Sequence, residues 1–317
     1  MQTVSLARNA MATRFEIVLH GANASVLRAA GEAALDEIAR LENQLSLYRP
    51  GSEIAQLNAR AAHEAVRITP ELFALLQHAQ QLQAETEGAF DITIAPLVRC
   101  WGFLGANGKP PAPEEVAAAR ACVGMQHVLL DAVNRTIRFA RDGVMLDLGA
   151  IGKGYAVGRA AEILRENGVT SALIHGGTST VFAIGHAPEA DDWRLVLEKP
   201  PAASGIPNFP DLPLVKLRDE AMSVSAMWGR FFEADGRSFG HVIEPRSGQP
   251  TEAALLAVVI LPDAAETDAL STALLTLGVT DLDTIAKLRP GMRAQVVSRE
   301  GDRVVEKSHG FAGPVRL

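Results

Sequence analysis

The sequence predicts an α+β fold in which mixed and antiparallel sheets carry flanking helices. Short apolar segments typical of strands come in runs, and amphipathic helical segments interrupt these runs irregularly, unlike the strict alternation of a doubly wound parallel sheet. The chain has 317 residues, of which 48% are hydrophobic and 21% are charged. This balance is that of an ordinary globular core, with room for one large domain or two lobes.

The N-terminal part of the chain contains one predicted strand and two predicted helices. Residues 14–19 form a short strand that ends at Gly21. Apolar side chains then recur every three or four positions from Asn23 to Leu45, which is the period of an amphipathic helix. A second helix is predicted over 69–88, where a threonine N-cap, a proline at the first helical position and a closing glycine mark the ends.

The rest of the chain adds two helices and most of the strands. The helix predicted over 153–167 stops before a glycine that can adopt positive φ, and the helix over 263–277 opens with the spacing of a capping box. Five prolines between residues 199 and 213 indicate an irregular connector. Strands are predicted over 127–131, 135–140, 144–148, 171–175, 180–184, 222–225, 239–243 and 255–261.

The charge and the N-terminus restrict the class of protein. A net charge of −7 and a pI near 5.7 argue against a nucleic-acid-binding surface, which needs a basic field. An anionic ligand would need local backbone N–H groups, a lysine or a metal ion. No stretch approaches the roughly 18 apolar residues of a membrane span, and residues 1–8 lack the apolar core of a secretory signal. We therefore expect a cytoplasmic protein, or a periplasmic one if the sequence is trimmed.

A glycine-rich segment at residues 147–155 lies between a predicted strand and a predicted helix. Its glycines allow close backbone approach, the helix N-terminus favours anions, and Lys153 adds a positive charge. The spacing fits neither a Walker A loop nor the dinucleotide fingerprint. From these residues alone, phosphate binding and a tight strand-to-helix turn are equal alternatives. Gly176 and Gly177, at the end of a strand, indicate a turn or a close backbone approach.

Three polar residues in the C-terminal part are candidates for chemistry. Asp268 and Thr272 are four residues apart on one helix and therefore share a face. Their oxygen atoms suit magnesium, although a solvated face is the simpler alternative. His241 at the edge of a strand is either a general base or a structural histidine. The G-x-S-x-G match at 236–240 is a chance match, because no helix is predicted after it.

These pieces occur together, and in order, in one family. The chain resembles the ApbE family of FAD:protein FMN transferases over most of its length, and the ordered set is far more specific than any one motif. The matching stretches are Met11–Phe15, Ser46–Asn58, Gly88–Val98, Trp101–Phe103, Asp147–Tyr155, Gly176–Gly177, Ser223–Ser225, His241–Gly248 and Asp268–Gly278.

The resemblance implies a T-fold-related architecture with FAD in a cleft between two lobes. Residues 1–10 would be an N-terminal segment, and residues 11–317 would form a single domain of two interwoven lobes. The resemblance also implies site residues by role. Asp268, Thr272 and the main-chain carbonyl of Ala150 would bind Mg²⁺, and His241 would be the catalytic base. The residues that would contact the cofactor are Met11 and Tyr48 beside the flavin ring, and Asp91, Thr93, Lys153, Gly176, Gly177, Thr178 and Ser225 along the cleft.

The implied reaction transfers FMN from FAD to a Thr or Ser hydroxyl of an acceptor flavoprotein and releases AMP. Such a transfer depends on positioning and charge neutralisation, which a metal ion and a base supply. The alternatives are hydrolysis of FAD to FMN and AMP, and FAD binding without turnover.

Several positions depart from the usual family pattern. Ala12 and Gly158 replace a common glycine and a common aspartate. Thr178 stands where an aspartate usually follows the glycine pair. Glu244 and Ser247 replace the usual Asp and Thr after His241, and Ala226-Met227-Trp228 replaces the usual run after Ser225.

Overall fold

The computed structural model of the chain describes residues 1–105, 108–200, 206, 209–301 and 303–311. The predicted α+β class is confirmed, since every strand pair in the described residues is antiparallel. The strands are β1 (Gln2–Ala10), β2 (Thr13–Gly21), β3 (Val66–Arg67), β4 (Val128–Asp131), β5 (Thr136–Phe139), β6 (Ala172–Gly176), β7 (Thr180–Ile184), β8 (Trp193–Val196), β9 (Leu214–Leu217), β10 (Glu220–Ala226), β11 (Phe231–Ala234), β12 (Arg237–Gly240), β13 (Leu256–Leu261), β14 (Arg293–Glu300) and β15 (Arg303–His309). The helices are α1 (Ala24–Leu45), α2 (Glu53–Arg60), α3 (Pro70–Glu85), α4 (Ala95–Cys100), α5 (Pro113–Arg120), α6 (Gly152–Glu166), α7 (Ala264–Leu277) and α8 (Leu282–Ala286).

An eight-stranded sheet forms the centre of the molecule, in the order β1-β2-β6-β7-β10-β13-β14-β15. Helices α1, α6 and α7 cover one face, and the two-stranded β8–β9 sheet covers part of the other. Strand β13 is covered on both faces, and all six of its residues are buried. Val259 packs in the cluster on the helical side, and Val258 packs in the cluster with β8 and β9. A strand covered on both faces therefore has a continuous apolar sequence.

Two predicted strands differ from the structure. Residues 144–148 form no strand. Asn58 takes the place of a neighbouring strand there, since its side-chain amide donates to the Leu146 carbonyl at 2.9 Å and accepts from the Leu146 N–H at 2.8 Å. The strand expected over 239–243 ends earlier, at Gly240. Of the proline-rich connector at 199–213, residues 201–205, 207 and 208 lie outside the described residues.

The sequence analysis assigned no strand to residues 1–10, and β1 occupies nearly all of them. All nine residues of β1 pair with β2, which makes β1 an edge strand of the large sheet. Met11 and Ala12 form the connecting turn with φ angles of 49° and 58°. Two successive positive φ angles are typical of a type I′ hairpin turn, although glycine or asparagine usually occupies it.

Helix α7 is fixed at its N-terminal end by a cap and by ion pairs. Asp263 accepts a hydrogen bond from the Glu266 N–H at 2.9 Å, so the predicted cap is present. The Glu266 carboxylate meets His78 of α3 at 3.1 Å and Arg289 at 2.8 Å. These partners hold the pKa of Glu266 at about 2 against the opposing effect of burial. No helix among the described residues is both long and apolar enough to cross a membrane.

Candidate functional site

A cavity of about 670 Å³ opens between the large sheet, the start of α6, one face of α7 and the β11–β12 hairpin. This volume lies within the range of small-molecule sites in proteins. Most of the residues singled out in the sequence line it, although they come from distant parts of the chain. They are Tyr48, Asp91, Ala150, Lys153, Gly177, Thr178, Ser225, His241, Asp268 and Thr272.

Three of the expected contact residues do not line the cavity. Met11 lies in the β1–β2 turn and packs against the main core. Thr93 is fully buried, where its hydroxyl donates to the Asp91 carboxylate at 2.5 Å. Gly176 ends β6, and a Cβ atom there would come within 3.1 Å of Phe15. Thr93 and Gly176 therefore lie next to lining residues, through Asp91 and Gly177, whereas Met11 belongs to the core.

The Asp268–Thr272 pair faces the cavity rather than bulk water. Asp268 is only 4% exposed, so the solvated-face alternative does not hold. One oxygen of its carboxylate accepts the Gly154 N–H at 2.9 Å, which ties α7 to the start of α6. The Thr272 hydroxyl donates to the Asp268 carbonyl at 3.2 Å and lies 3.3 Å from the Ser225 hydroxyl. Even if the Ser225 hydroxyl donates to it, the Thr272 oxygen keeps one lone pair for a ligand.

The donor set at this point fits a hard divalent cation. A carboxylate from Asp268, a hydroxyl from Thr272 and the carbonyl-bearing residue Ala150 line the same cavity. Magnesium prefers such oxygen ligands and usually takes few protein carboxylates, because waters and phosphates complete its shell. The described residues contain no group of three or more His, Cys, Asp or Glu side chains that could hold a metal. The candidate magnesium site contains only one carboxylate, with a hydroxyl and a main-chain carbonyl as its other donors, so it is not a cluster of this type.

His241 is held in one orientation by the main chain of Arg230. The Arg230 carbonyl lies 2.9 Å from the His241 backbone nitrogen and 3.0 Å from Nδ1, so it can accept from both. The alternative contact, from the Arg230 N–H to Nδ1, is longer at 3.4 Å. The shorter contact places the proton on Nδ1 and leaves Nε2 free to accept one. Burial lowers the pKa of His241, which keeps the ring neutral near pH 7.

The segment 147–155 forms the turn that leads into α6. The Asp147 carboxylate accepts the Gly149 N–H at 2.8 Å, and the Lys153 ammonium reaches the Gly149 carbonyl at 3.4 Å. The N-cap residue Ile151 makes no side-chain hydrogen bond to the first turn of α6; the Asp268 carboxylate accepts the Gly154 N–H there instead, and Lys153 of this turn lines the cavity. Both alternatives from the sequence are therefore compatible, because a tight turn also presents a helix terminus that favours anions. Burial raises the pKa of Asp147, and it does the same for Asp91.

The cavity also has wall residues that the sequence analysis did not single out as site residues. Phe103 packs its ring edge to face against His241, with 6.5 Å between ring centroids. Arg230 contributes a second cation beside Lys153. His175 lies on β6 at the cavity wall, and burial lowers its pKa. Phe103 belongs to a stretch that matched the family, whereas Arg230 and His175 have no local signal in the sequence.

Comparison with known proteins identifies the family. The family model described as the ApbE family matches residues 11–296. The chain is 30% identical to an FAD:protein FMN transferase of Klebsiella pneumoniae (strain 342), over 89% of this chain and 79% of that protein. It is 29% identical to a protein of the same name from Treponema pallidum (strain Nichols), over 90% of this chain and 82% of that protein.

Solved structures agree with this result. The apo form of the flavinyl transferase ApbE from Pseudomonas stutzeri superposes with a TM-score of 0.81 at 32% identity, covering 97% of this chain and 94% of that one. The ApbE protein of Thermotoga maritima superposes with a TM-score of 0.85 at 27% identity, covering 96% of each chain. The family model and these matches span nearly the whole molecule, and the chain belongs to the ApbE family.

Proposed function

We propose that this protein is an FAD:protein FMN transferase that requires Mg²⁺. It moves the FMN part of FAD onto a Thr or Ser hydroxyl of an acceptor flavoprotein and releases AMP. The observation that carries the proposal is that the buried Asp268 carboxylate, the half-buried Thr272 hydroxyl and His241, whose Nδ1 lies 3.0 Å from the Arg230 carbonyl, all line one cavity. The names of the curated relatives support the same activity.

The charges of the cavity explain why such a reaction needs a metal ion. Four carboxylates line the cavity, and two cations, Lys153 and Arg230, oppose them. The carboxylates are those of Asp91, Asp147, Glu198 and Asp268. Because these acidic side chains outnumber the two cations, the cavity by itself has too little positive charge to neutralise a dianionic diphosphate. Bound Mg²⁺ would neutralise the diphosphate and stabilise the charge that develops on it. Asp268, Thr272 and the Ala150 carbonyl are the residues that would hold the ion.

His241 supplies the proton acceptor. The acceptor hydroxyl oxygen forms a bond to the phosphorus on the FMN side, and its proton passes to Nε2 of His241. The bond between that phosphorus and the bridging oxygen breaks, and AMP leaves. The hydrogen bond from Nδ1 to the Arg230 carbonyl fixes the ring tautomer and stabilises the positive charge that the ring acquires. Lys153, in the first turn of α6, lines the same cavity and would face the same anionic substrate.

The test is to incubate the purified protein with FAD, Mg²⁺ and a candidate acceptor flavoprotein, and then to denature the mixture. We expect flavin fluorescence that stays with the acceptor, and an FMN group on a Thr or Ser peptide by mass spectrometry. Release of FMN and AMP without an acceptor would instead indicate a hydrolase. Tightly bound FAD that never turns over would indicate a binding protein.

Two variants assign the roles. His241→Ala should abolish transfer and keep FAD binding, whereas His186→Ala, at an exposed histidine outside the cavity, should leave both unchanged. Asp268→Asn should raise the Mg²⁺ concentration needed for half-maximal activity. Full transfer by the His241 variant, or an unchanged Mg²⁺ response in the Asp268 variant, would remove these residues from the mechanism.

A further inference from the structure

Arg230 and Phe103 form a small cluster with His241 at one end of the cavity. Arg230 stands immediately before β11, and His241 stands immediately after β12, so the two residues face each other across the base of the hairpin. The Arg230 guanidinium donates through Nη2 to the Phe103 carbonyl at 3.1 Å. The Phe103 ring at the same time contacts the imidazole of His241. One residue of the α4–α5 connection therefore positions both polar groups.

The Phe103 carbonyl is itself firmly placed. Phe103 follows Gly102, whose φ of 76° turns the chain sharply at the end of α4. The neighbouring Trp101 ring N–H donates to the Gly248 carbonyl at 2.8 Å, which ties this turn to the loop beyond His241. Both aromatic side chains are buried. The Trp101–Phe103 stretch, which the sequence analysis matched to the family without giving it a role, thus becomes the support of a charged group.

Arg230 forms no ion pair with the residues that the structure describes. None of their carboxylates lies within 4.0 Å of its guanidinium, whereas Arg165, Arg246 and Arg289 each form such a pair. Arg237, on the same hairpin, lies 3.8 Å from Glu252 and packs over the Phe239 ring. The Phe103 carbonyl occupies only part of the donor capacity of Arg230, and the remaining N–H groups can bind a ligand in the cavity that this residue lines.

The charge also acts on the site. Arg230 and Lys153 are the two cations whose fields lower the pKa of His241, in addition to the larger effect of burial. Both cations therefore lie close enough to the imidazole to influence a group bound beside it. A planar guanidinium matches the paired oxygens of a phosphate better than an ammonium does, because it offers parallel N–H donors.

We propose that Arg230 binds the diphosphate of FAD and, through its anchor on the Phe103 carbonyl, orients the reacting phosphate toward His241. The proposal rests on the proposed function for the identity of the substrate. It assigns a positioning role to a residue outside the metal site and outside the base. Neutralisation of the diphosphate is then shared between the metal ion on one side and a fixed guanidinium on the other.

Binding measurements test this assignment without an acceptor protein. The wild type and the variants Arg230→Gln, Arg230→Lys and Arg237→Gln are titrated with FAD, ADP and riboflavin in the presence of Mg²⁺. We expect Arg230→Gln to weaken the binding of FAD and of ADP about tenfold, the effect of losing a charged hydrogen bond at an accessible site. Riboflavin has no phosphate and should bind unchanged. Arg230→Lys should recover part of the loss, and the Arg237→Gln control should match the wild type.

Two results would overturn the proposal. One is FAD affinity in Arg230→Gln equal to that of Arg237→Gln. The other is an equal loss for riboflavin and FAD, which would indicate a disturbed cavity. A second readout follows the His241 ring by NMR, and its pKa should rise in Arg230→Gln because a nearby cation is gone. An unchanged His241 pKa would also contradict the assignment. Failure of FMN transfer to any acceptor, with these binding differences intact, would count against the proposed function alone.

Discussion

Two glycines on helix α6 predict opposite effects of the same substitution. Gly154 lies against α7, and a Cβ atom there would come within 2.1 Å of the Ala264 carbonyl oxygen and 2.7 Å of the Asp268 Cβ. Gly158, one turn further along α6, would place a Cβ atom 3.7 Å from the Ala264 side chain, which is an ordinary van der Waals contact. We therefore expect Gly154→Ala to destabilise the fold and Gly158→Ala to stabilise it.

The magnitudes follow from what each methyl group would meet. At Gly154 the obstacle is main chain of α7, which cannot rotate away, so α6 and α7 must separate. Overpacking of this kind costs about 1–3 kcal/mol, and a clash with backbone belongs at the upper end. At Gly158 the space is free, and alanine gains up to about 1 kcal/mol of helix propensity over glycine. The two variants should differ by roughly 4 kcal/mol in free energy of unfolding.

Gly154→Ala should also disturb the candidate metal site. The Gly154 N–H holds one oxygen of the Asp268 carboxylate, so a shift of α6 moves a candidate Mg²⁺ ligand. Urea unfolding of both variants, followed by circular dichroism, gives the stability difference at constant slope. Mg²⁺ titration of FAD binding gives the functional consequence, which should appear in Gly154→Ala alone. If both variants unfold within about 0.5 kcal/mol of the wild type, the close packing of α6 on α7 is wrong.

Three further predictions concern the turn, the ion pairs and the base. Ala12→Gly should raise the free energy of unfolding by about 1 kcal/mol in a urea titration, because glycine adopts its φ of 58° without strain; no gain would argue against this turn. Glu266→Gln should cost on the order of 3 kcal/mol at pH 7, since the folded pKa of about 2 lies below that of a free glutamate. That contribution is present above the ordinary glutamate pKa and disappears as the pH falls toward 2, so the difference between variant and wild type should shrink in acid; a constant difference would contradict it. Transfer activity should fall on the acidic side only below the ordinary pKa of histidine, because burial lowers the pKa of His241. A pH–rate profile with its acidic midpoint above that value would refute the assignment of His241 as the base.

Helices and strands that have a strong local signal in the sequence were predicted correctly. The stripe of α1 and the capping residue of α7 were found because helical periodicity and cap chemistry act within a few residues. Strand β13 was found because burial on both faces leaves a continuous apolar run. Strands β1, β3, β8, β9, β11, β14 and β15 were missed. The outermost strands, β1 and β15, have exposed or half-buried residues along most of their length, so their sequences carry polar residues and little apolar alternation.

The residues of the candidate site also separate into those that have a local signal in the sequence and those that have none. Asp268 and Thr272 share a helix face by their spacing, but only the packing of α6 against α7 turns that face from solvent to cavity. The contact between Arg230 and Phe103 joins residues 127 positions apart, and no local pattern encodes it. The resemblance to the family, through its ordered motifs, was what assigned expected roles to Asp268, Thr272 and His241. These motifs gave no role to Arg230, which lies between two matching stretches and just after the departure at Ala226-Met227-Trp228.

Gly229, the residue before Arg230, also affects the position of the base itself. A Cβ atom at Gly229 would lie 3.2 Å from Cε1 of His241, so the absence of a side chain at this position leaves room for the imidazole. The ring is then bounded by Gly229, by the edge contact with Phe103 and by the Arg230 carbonyl. Since each of these comes from a segment outside the metal site, the base can be oriented before metal or substrate binds. The groups that hold His241 are therefore separate from the oxygen pair on α7 that would hold the ion.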